Sequence, residues 1–269
     1  MPDSASHLAW ADLALAGLLL LVHAALSVRF ELRLAKPLLV AALRMVVQLS
    51  LLALVLEWLF TTESALATAL MIAVMLGFAA WETWRRIARP LAGRAGYLVP
   101  GAAIAVAGLL TLVFALLTQL SPRPWYAPRY AVPILGMILG STMNAVALGI
   151  DNLTQNALRE RVNIEAQLVL GVRFEDATRE LLQKAMRTAL LPVLNLMAAT
   201  GLVMIPGMMT GQILMGMQPH EAIKYQIMII LLVAGATALA VFLALIATQR
   251  LLTDDRQRLR LERLAAERK

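Results

Sequence analysis

Long apolar runs alternate with short charged connections along this chain. A membrane-spanning helix needs about 20 predominantly apolar residues, and runs of that length recur along most of the sequence. Because these runs lack the alternation typical of outer-membrane strands, they favour an all-helical, polytopic membrane protein over a barrel. Seven spans are predicted, at roughly 9–28, 37–59, 64–82, 97–119, 131–150, 188–217 and 223–249.

The sixth of these runs is too long for one straight crossing. No acidic or basic residue occurs from Thr188 to Pro219, yet Pro192, Pro206 and Gly207 lie inside this stretch. A proline removes a backbone donor and its ring clashes with the preceding turn, so a helix bends or breaks there. The sequence therefore predicts a kinked or re-entrant path for this span.

The composition agrees with a membrane location. The chain has 269 residues, of which 60% are hydrophobic, and its mean hydropathy of +0.74 lies outside the range of soluble domains. Its N-terminus lacks a basic region and a small-residue cleavage site, so the first span is predicted to be retained. No cysteine is present, which excludes disulfides and thiolate metal sites. The expected location is the bacterial inner (plasma) membrane, with the lipid bilayer as a partner.

The positive charge is concentrated in alternate connections. The net charge is +7, and all but four of the 24 basic residues lie at 29–36, 85–94, 159–187 and 250–269. Basic residues favour the cytoplasmic side, so the N-terminus is predicted outside and the C-terminus in the cytoplasm. This clustering at membrane connections argues against a nucleic-acid partner.

One cytoplasmic connection is much longer than the others. Residues 151–187 are predicted to form two helices broken at Gly171, since glycine favours the left-handed position after a helix end. The second helix has an apolar face, formed by Phe174, Ala177, Leu181 and Ala185. The charged tail, 250–269, is predicted to be a solvated helix.

Within this connection lies the segment Glu165-Ala166-Gln167-Leu168-Val169-Leu170-Gly171. It resembles the Glu-Ala-Ala…Gly loop of ATP-binding-cassette (ABC) importers, whose short coupling helix docks on a separate ATPase. The match departs from that pattern because Leu191-Pro192 lies about two helical turns too far from the glycine. On the residues alone, a solvated amphipathic helix remains the alternative. The resemblance implies four coupling residues, Glu165, Ala166, Leu168 and Gly171.

Several further segments occur in a fixed order with this one. They are Met143-Asn144, Asn195, Ile205 to Leu214 and Tyr225-Gln226-Ile227. Together they resemble the FetB-type permease family, the membrane subunits of ABC transporters assigned to iron export, with plant relatives linked to aluminium tolerance. The resemblance covers nearly the whole chain. It implies a homodimer of permeases, a separate ATPase that uses ATP, and a metal cation as cargo, with iron expected.

Polar and soft side chains inside the spans are candidates for the transport path. At the predicted break, Pro206 would free the Leu202 carbonyl, and exposed carbonyls beside broken helices can bind cations. A simple kink with satisfied carbonyls is the alternative. The methionines of this region would favour Cu(I) over Fe(II) as ligands, although packing explains most of them. The candidate path residues are Arg44, Gln48, Met143, Asn144, Asn195, Pro206, Met208, Met209, Thr210, Gln212 and Gln226. No metal ligands are assigned.

Small residues recur at helical spacing in two spans. Gly136 and Gly140 lie four residues apart, as do Gly207 and Gly211. Such faces allow two helices to approach closely, either within one chain or across a dimer.

No energy-converting or catalytic motif is present in the sequence. It lacks a Gly-x-x-x-x-Gly-Lys-Ser/Thr loop for nucleotide phosphates and the Gly-x-Ser-x-Gly and His-Glu-x-x-His signatures of hydrolases. The chain, 1–269, is therefore predicted to be a single transmembrane permease domain without a cofactor of its own and without enzymatic activity. The alternatives are an ion-coupled secondary transporter of a small cation or metabolite, and a membrane scaffold subunit that transports nothing.

Overall fold

The computed structural model describes residues 10–120 and 122–266, and the regular structure in these ranges is helical. A π-helical turn at Ala115–Leu120 continues α4, and a short 3-10 helix occupies Leu261–Arg263. The α-helices are α1 (Trp10–Arg29), α2 (Ala35–Thr62), α3 (Ala65–Arg86), α4 (Ala95–Phe114), α5 (Pro128–Arg159), α6 (Arg161–Val169), α7 (Phe174–Ala177), α8 (Arg179–Ala199), α9 (Gly207–Leu214) and α10 (Pro219–Leu251).

Six helical segments in the described ranges are long and apolar enough to cross a membrane. They are α1, α2, α3, α4 with its π-helical turn, α5 and α10. Six of the seven predicted spans are thus found as continuous helices. The predicted span 188–217 is divided between α8 and α9.

The chain forms two compact units, with the boundary after Thr62. In the first unit, α1 and α2 form a helical hairpin. The buried Ser27 holds its turn, because the Leu34 N–H donates to Ser27 Oγ at 2.9 Å and the Leu32 N–H donates to the Ser27 carbonyl at 2.9 Å.

In the second unit, α5 is the central helix of a bundle and packs against α3, α4, α8 and α10. Leu135, Ile138 and Val146 of α5 are completely buried in the core. The closest approach occurs at Gly149, where a Cβ would lie 3.1 Å from the Cβ of Ala189 on α8 and 3.3 Å from Leu245 on α10. A glycine at this point allows the three helices to meet.

The glycines singled out in the sequence pack differently. In the described structure, no heavy atom lies within 4 Å of a Cβ built on Gly140, Gly207 or Gly211, and only the Met75 side chain approaches Gly136. The predicted small-residue contacts are therefore not made within the chain at Gly140, Gly207 or Gly211.

The sixth predicted span is broken between α8 and α9, and Pro206 lies at the end of that break. α8 ends at Ala199, and an irregular segment follows in which Gly201 has φ +92° and donates to the Met204 carbonyl at 2.9 Å. Pro206 immediately precedes α9. Pro192, by contrast, lies inside α8 without ending it.

The tail after Arg250 is not the solvated helix that the sequence predicted. α10 ends at Leu251, and residues 252–266 fold back over the connection between α3 and α4, where an antiparallel bridge joins Leu91 to Leu264. The prediction was wrong because backbone bonds to this distant connection replace the local bonds of a helix. We call residues 252–266 the C-terminal clamp.

Candidate coupling and transport sites

The predicted coupling segment continues directly from the central helix. α5 extends through the polar residues after Asp151 to Arg159, and α6 begins at Arg161. At the end of α6, Gly171 adopts φ +86°, its N–H donates to the Leu168 carbonyl at 3.0 Å, and the Val172 N–H donates to the Gln167 carbonyl at 3.1 Å. These two bonds define a Schellman motif. The predicted break at Gly171 is confirmed.

The two faces of α6 differ in burial. Ile164 is 1% exposed, and Leu168 packs against the bundle core one turn later. On the other side, Val162, Val169 and Leu170 are 80%, 87% and 83% exposed. We call these three residues the apolar tip. So much exposed aliphatic surface on a polar segment is typical of a surface that binds another protein.

The four predicted coupling residues occupy different environments on this segment. Ala166 and Gly171 are exposed, and the partly exposed Glu165 accepts from Arg161 Nε at 2.8 Å. Leu168 is partly buried and packs against the core, so it anchors α6 on the bundle. The sequence reasoning missed Val162, which shares the outer face of α6 with Ala166 and Val169 through helical spacing.

The chain after Gly171 is anchored by an aromatic side chain. Phe174 is 1% exposed and packs in a small cluster with Leu91, Ala157 and Leu252. Phe174 belongs to the apolar face predicted for the helix after Gly171. The rest of that face is confirmed, because Leu181 and Ala185 are buried and Ala177 packs against the core.

Two polar contacts connect this region to α10 and to the C-terminal clamp. The Phe174 N–H donates to Gln257 Oε1 at 2.8 Å. Gln249 Nε2 donates to Thr178 Oγ1 at 2.8 Å, and that hydroxyl donates to the Phe174 carbonyl at 2.7 Å. Gln249 and Thr178 are both buried. The end of α10 is therefore bonded to Thr178, which lies between α7 and α8.

The clamp also closes over the connection after α3. The Ala92 N–H donates to the Arg263 carbonyl at 2.6 Å, and the Ala265 N–H donates to the Pro90 carbonyl at 2.8 Å. Arg263 Nη1 in turn donates to the Leu251 carbonyl at 2.9 Å, which satisfies a free acceptor at the end of α10.

Asp254 organises the first turn of the clamp. The N–H of Arg258 and that of Arg256 each donate to its carboxylate at 3.0 Å, and the Arg258 side chain lies 2.7 Å away. The backbone bond from Arg258, followed by its side-chain bond, lowers the pKa of Asp254 from 3.8 to about 2. The carboxylate is therefore charged throughout the physiological range.

The path candidates on α5 differ in burial, because Met143 is partly buried whereas Asn144 is exposed. Arg86 of α3 donates to Asn144 Oδ1, and Asn144 Nδ2 donates to the Gly140 carbonyl at 3.1 Å. Ser141 Oγ accepts from Thr237 of α10 at 3.0 Å. Met143 packs against the core.

The candidates on the divided span and α10 are more varied. Asn195 is exposed on α8, and Thr210 donates to the Pro206 carbonyl at 3.2 Å. Gln226 is 7% exposed, and its Oε1 has no hydrogen-bond partner among the described residues. Arg44 and Gln48 lie one turn apart on α2, in the first unit.

Two of the path candidates, Met208 and Gln212, line one cavity of about 380 Å³. It lies between the N-terminal parts of α5 and α10 and one side of α9, and we call it the methionine cavity. Its methionines are Met137, Met208, Met217 and Met228. Met209 is not part of its lining. Over the residues that the structure describes, no group of three or more His, Asp or Glu side chains is placed to hold a metal ion.

Comparisons with known proteins agree with this architecture. The model of the uncharacterised protein family UPF0014 matches residues 10–252. The chain is 33% identical over 251 residues to "Probable iron export permease protein FetB" of Escherichia coli (strain K12), which covers 92% of this chain and 93% of that protein.

Two plant proteins are also similar. UPF0014 membrane protein STAR2 of Oryza sativa subsp. japonica is 31% identical over 82% of this chain and 75% of its own length. Protein ALUMINUM SENSITIVE 3 of Arabidopsis thaliana is 30% identical over 73% of this chain and 70% of its own length. No solved structure matches the chain significantly. The chain therefore belongs to the UPF0014 family of multi-pass membrane proteins, as its resemblance to the FetB-type permeases predicted.

Proposed function

We propose that this protein is the membrane-spanning permease subunit of an ABC transporter, driven by a separate ATPase and exporting a metal cation. Iron is the expected cargo because the E. coli relative is named as an iron export permease. The observation that carries the proposal is the apolar tip on α6, at the end of the central helix.

The surroundings of α6 suit a segment that transmits force. Its inner face is anchored through Ile164 and Leu168, and its C-terminal end is fixed by the Schellman motif at Gly171. α5 is 32 residues long, which corresponds to about 48 Å, so a displacement of α6 is transmitted to the middle of the bundle. We propose that the ATPase covers Val162, Ala166, Val169 and Leu170 in the cytoplasm.

A second copy of the chain completes the proposed path. α8 exposes Leu191, Leu194 and Asn195, and the break that follows exposes Leu202 at 93% and Val203 at 88%. An exposed amide such as Asn195 on an apolar helix is poorly suited to lipid but well suited to a polar path between two protomers. In this proposal, α5 and the divided span line the route of the cation.

Replacement of one residue of the apolar tip tests the proposal. Leu170→Glu places a charge where an apolar contact is expected, so co-purification with the ATPase and ATP-dependent metal efflux from proteoliposomes should both be lost. Ala266→Glu introduces the same charge at an exposed position of the C-terminal clamp and should leave both intact.

Two results would count against the proposed function. Uphill transport by the permease alone, without nucleotide, would indicate a secondary transporter. Normal efflux with Leu170→Glu would show that the apolar tip is not the contact with the ATPase.

A further inference from the structure

The methionine cavity brings together thioethers from distant parts of the sequence. Met137 comes from α5, Met208 from α9, Met217 from the turn after α9, and Met228 from α10. These residues do not form a stripe along one helix. They meet because α9, which follows the break after α8, lies beside the N-terminal ends of α5 and α10.

Packing explains only two of the four methionines. Met137 and Met228 pack against the hydrophobic core. Met208 and Met217 are 36% and 37% exposed and line an open cavity instead of filling a gap. All four thioethers are therefore at least partly exposed and line the same cavity, where a ligand could reach them.

A second observation in the same cavity indicates a ligand. Gln212 lines it, and its Oε1 is a buried acceptor without a hydrogen-bond partner among the described residues. A buried acceptor left unsatisfied costs free energy, and a cation bound beside it would remove that cost. The hydroxyl-bearing side chains of Tyr130 and Tyr225 also line the cavity.

The donor set selects the kind of cation. Among the residues that the structure describes, the lining holds four thioethers and no carboxylate, imidazole or thiolate. Thioethers are soft ligands that select Cu(I), whereas carboxylate, carbonyl and water oxygens suit hard ions. Arg129 also lines the cavity.

We propose that the methionine cavity binds a soft monovalent cation, Cu(I) or Ag(I), through the thioethers of Met137, Met208, Met217 and Met228. The cavity is larger than a bare ion, but a methionine side chain has three rotatable bonds and can close around it. Gln212 Oε1 would complete the coordination. Binding at this site does not depend on which cation the transporter exports, nor on an ATPase partner.

Silver binding to the purified permease tests this site, because Ag(I) shares the ligand preference of Cu(I) and needs no reductant. Isothermal titration in detergent should give one tight site for the unmodified protein. The double variant Met208→Leu/Met217→Leu should weaken it on the order of tenfold or more, since two soft ligands are lost. Both residues are partly exposed, so this change of similar volume should leave the fold intact.

The matched control is Met45→Leu/Met71→Leu, which changes two methionines of α2 and α3 outside the cavity lining and should leave the affinity unchanged. X-ray absorption of the silver complex should show sulfur neighbours. Equal weakening in both double variants, or the absence of a tight silver site in the unmodified protein, would overturn the proposal. Neither result bears on ATP-driven transport, which the Leu170→Glu experiment tests separately.

Discussion

At the scale of single residues, the coupling segment depends on a few side chains that face in opposite directions. Ile164 and Leu168 hold α6 against the bundle, while Val162, Val169 and Leu170 are left exposed. Helical spacing separates the two sets, so the sequence contained this information. The inward and outward faces could be assigned only once the start and end of α6 were known.

Asp254 gives a prediction for the clamp at this scale. Its pKa is lowered in the folded protein, so its contribution to stability is present above the unfolded value of 3.8 and is lost as the pH falls to about 2. A fluorophore on Ala266→Cys, in a chain without native cysteine, reports clamp mobility. Its anisotropy should stay constant from neutral pH to about 5 and decrease between about 4 and 2.

The variant Asp254→Asn should give low anisotropy already at neutral pH, since the bonds to Arg258 lose their charge assistance. Asp255→Asn changes the exposed neighbouring carboxylate and should behave like the unmodified clamp. If Asp254→Asn left the anisotropy unchanged at every pH, Asp254 would not be what orders the clamp.

At the scale of secondary-structure elements, α5, α8 and α10 meet closely at Gly149, which joins the helix leading into α6 to the helix that precedes the break. Gly149→Ala places a Cβ about 3.1 Å from the Cβ of Ala189, so the helices must separate slightly. We expect a loss of about 1–3 kcal/mol, measured as a lower melting temperature in detergent.

Gly140→Ala, on the same helix, is the control for this prediction. No heavy atom of the described structure lies within 4 Å of its added Cβ. Because alanine is the better helix former by about 1 kcal/mol, the melting temperature should stay equal or rise. Equal losses at the two positions would contradict the account of helix packing.

The elements also show how far the sequence alone could predict this structure. Apolar runs identified six continuous spans, and local signals predicted the break at Pro206 and the helix end at Gly171. The continuation of α5 to Arg159 was missed because its charged residues suggested a connection. The C-terminal clamp was not predicted because Ala92 and Arg263 are far apart in the sequence. A local sequence pattern does not reveal hydrogen bonds between such distant residues.

The candidate sites also differ in whether local sequence or distant contacts define them. The proposed coupling segment could be named from the sequence because its residues are contiguous. The methionine cavity could not be assembled in advance, since Met137 and Met228 meet only after α5 and α10 have paired. Individual methionines carry no positional signal, and packing was therefore the better interpretation for each one alone.

At the scale of the whole molecule, the proposed function requires α6 to face the cytoplasm and to be covered by another polypeptide. The basic connections predict this side of the membrane through the positive-inside rule. The family relationship supports a permease, and the apolar tip supports a partner that binds there.

The most direct measurement is labelling of Val169→Cys, the only thiol in a chain without native cysteine. A membrane-impermeant maleimide should react in inside-out vesicles and not in intact cells. Co-expression of the ATPase should then slow that reaction strongly. Labelling from the outside of intact cells, or a reaction rate unaffected by the ATPase, would contradict the account.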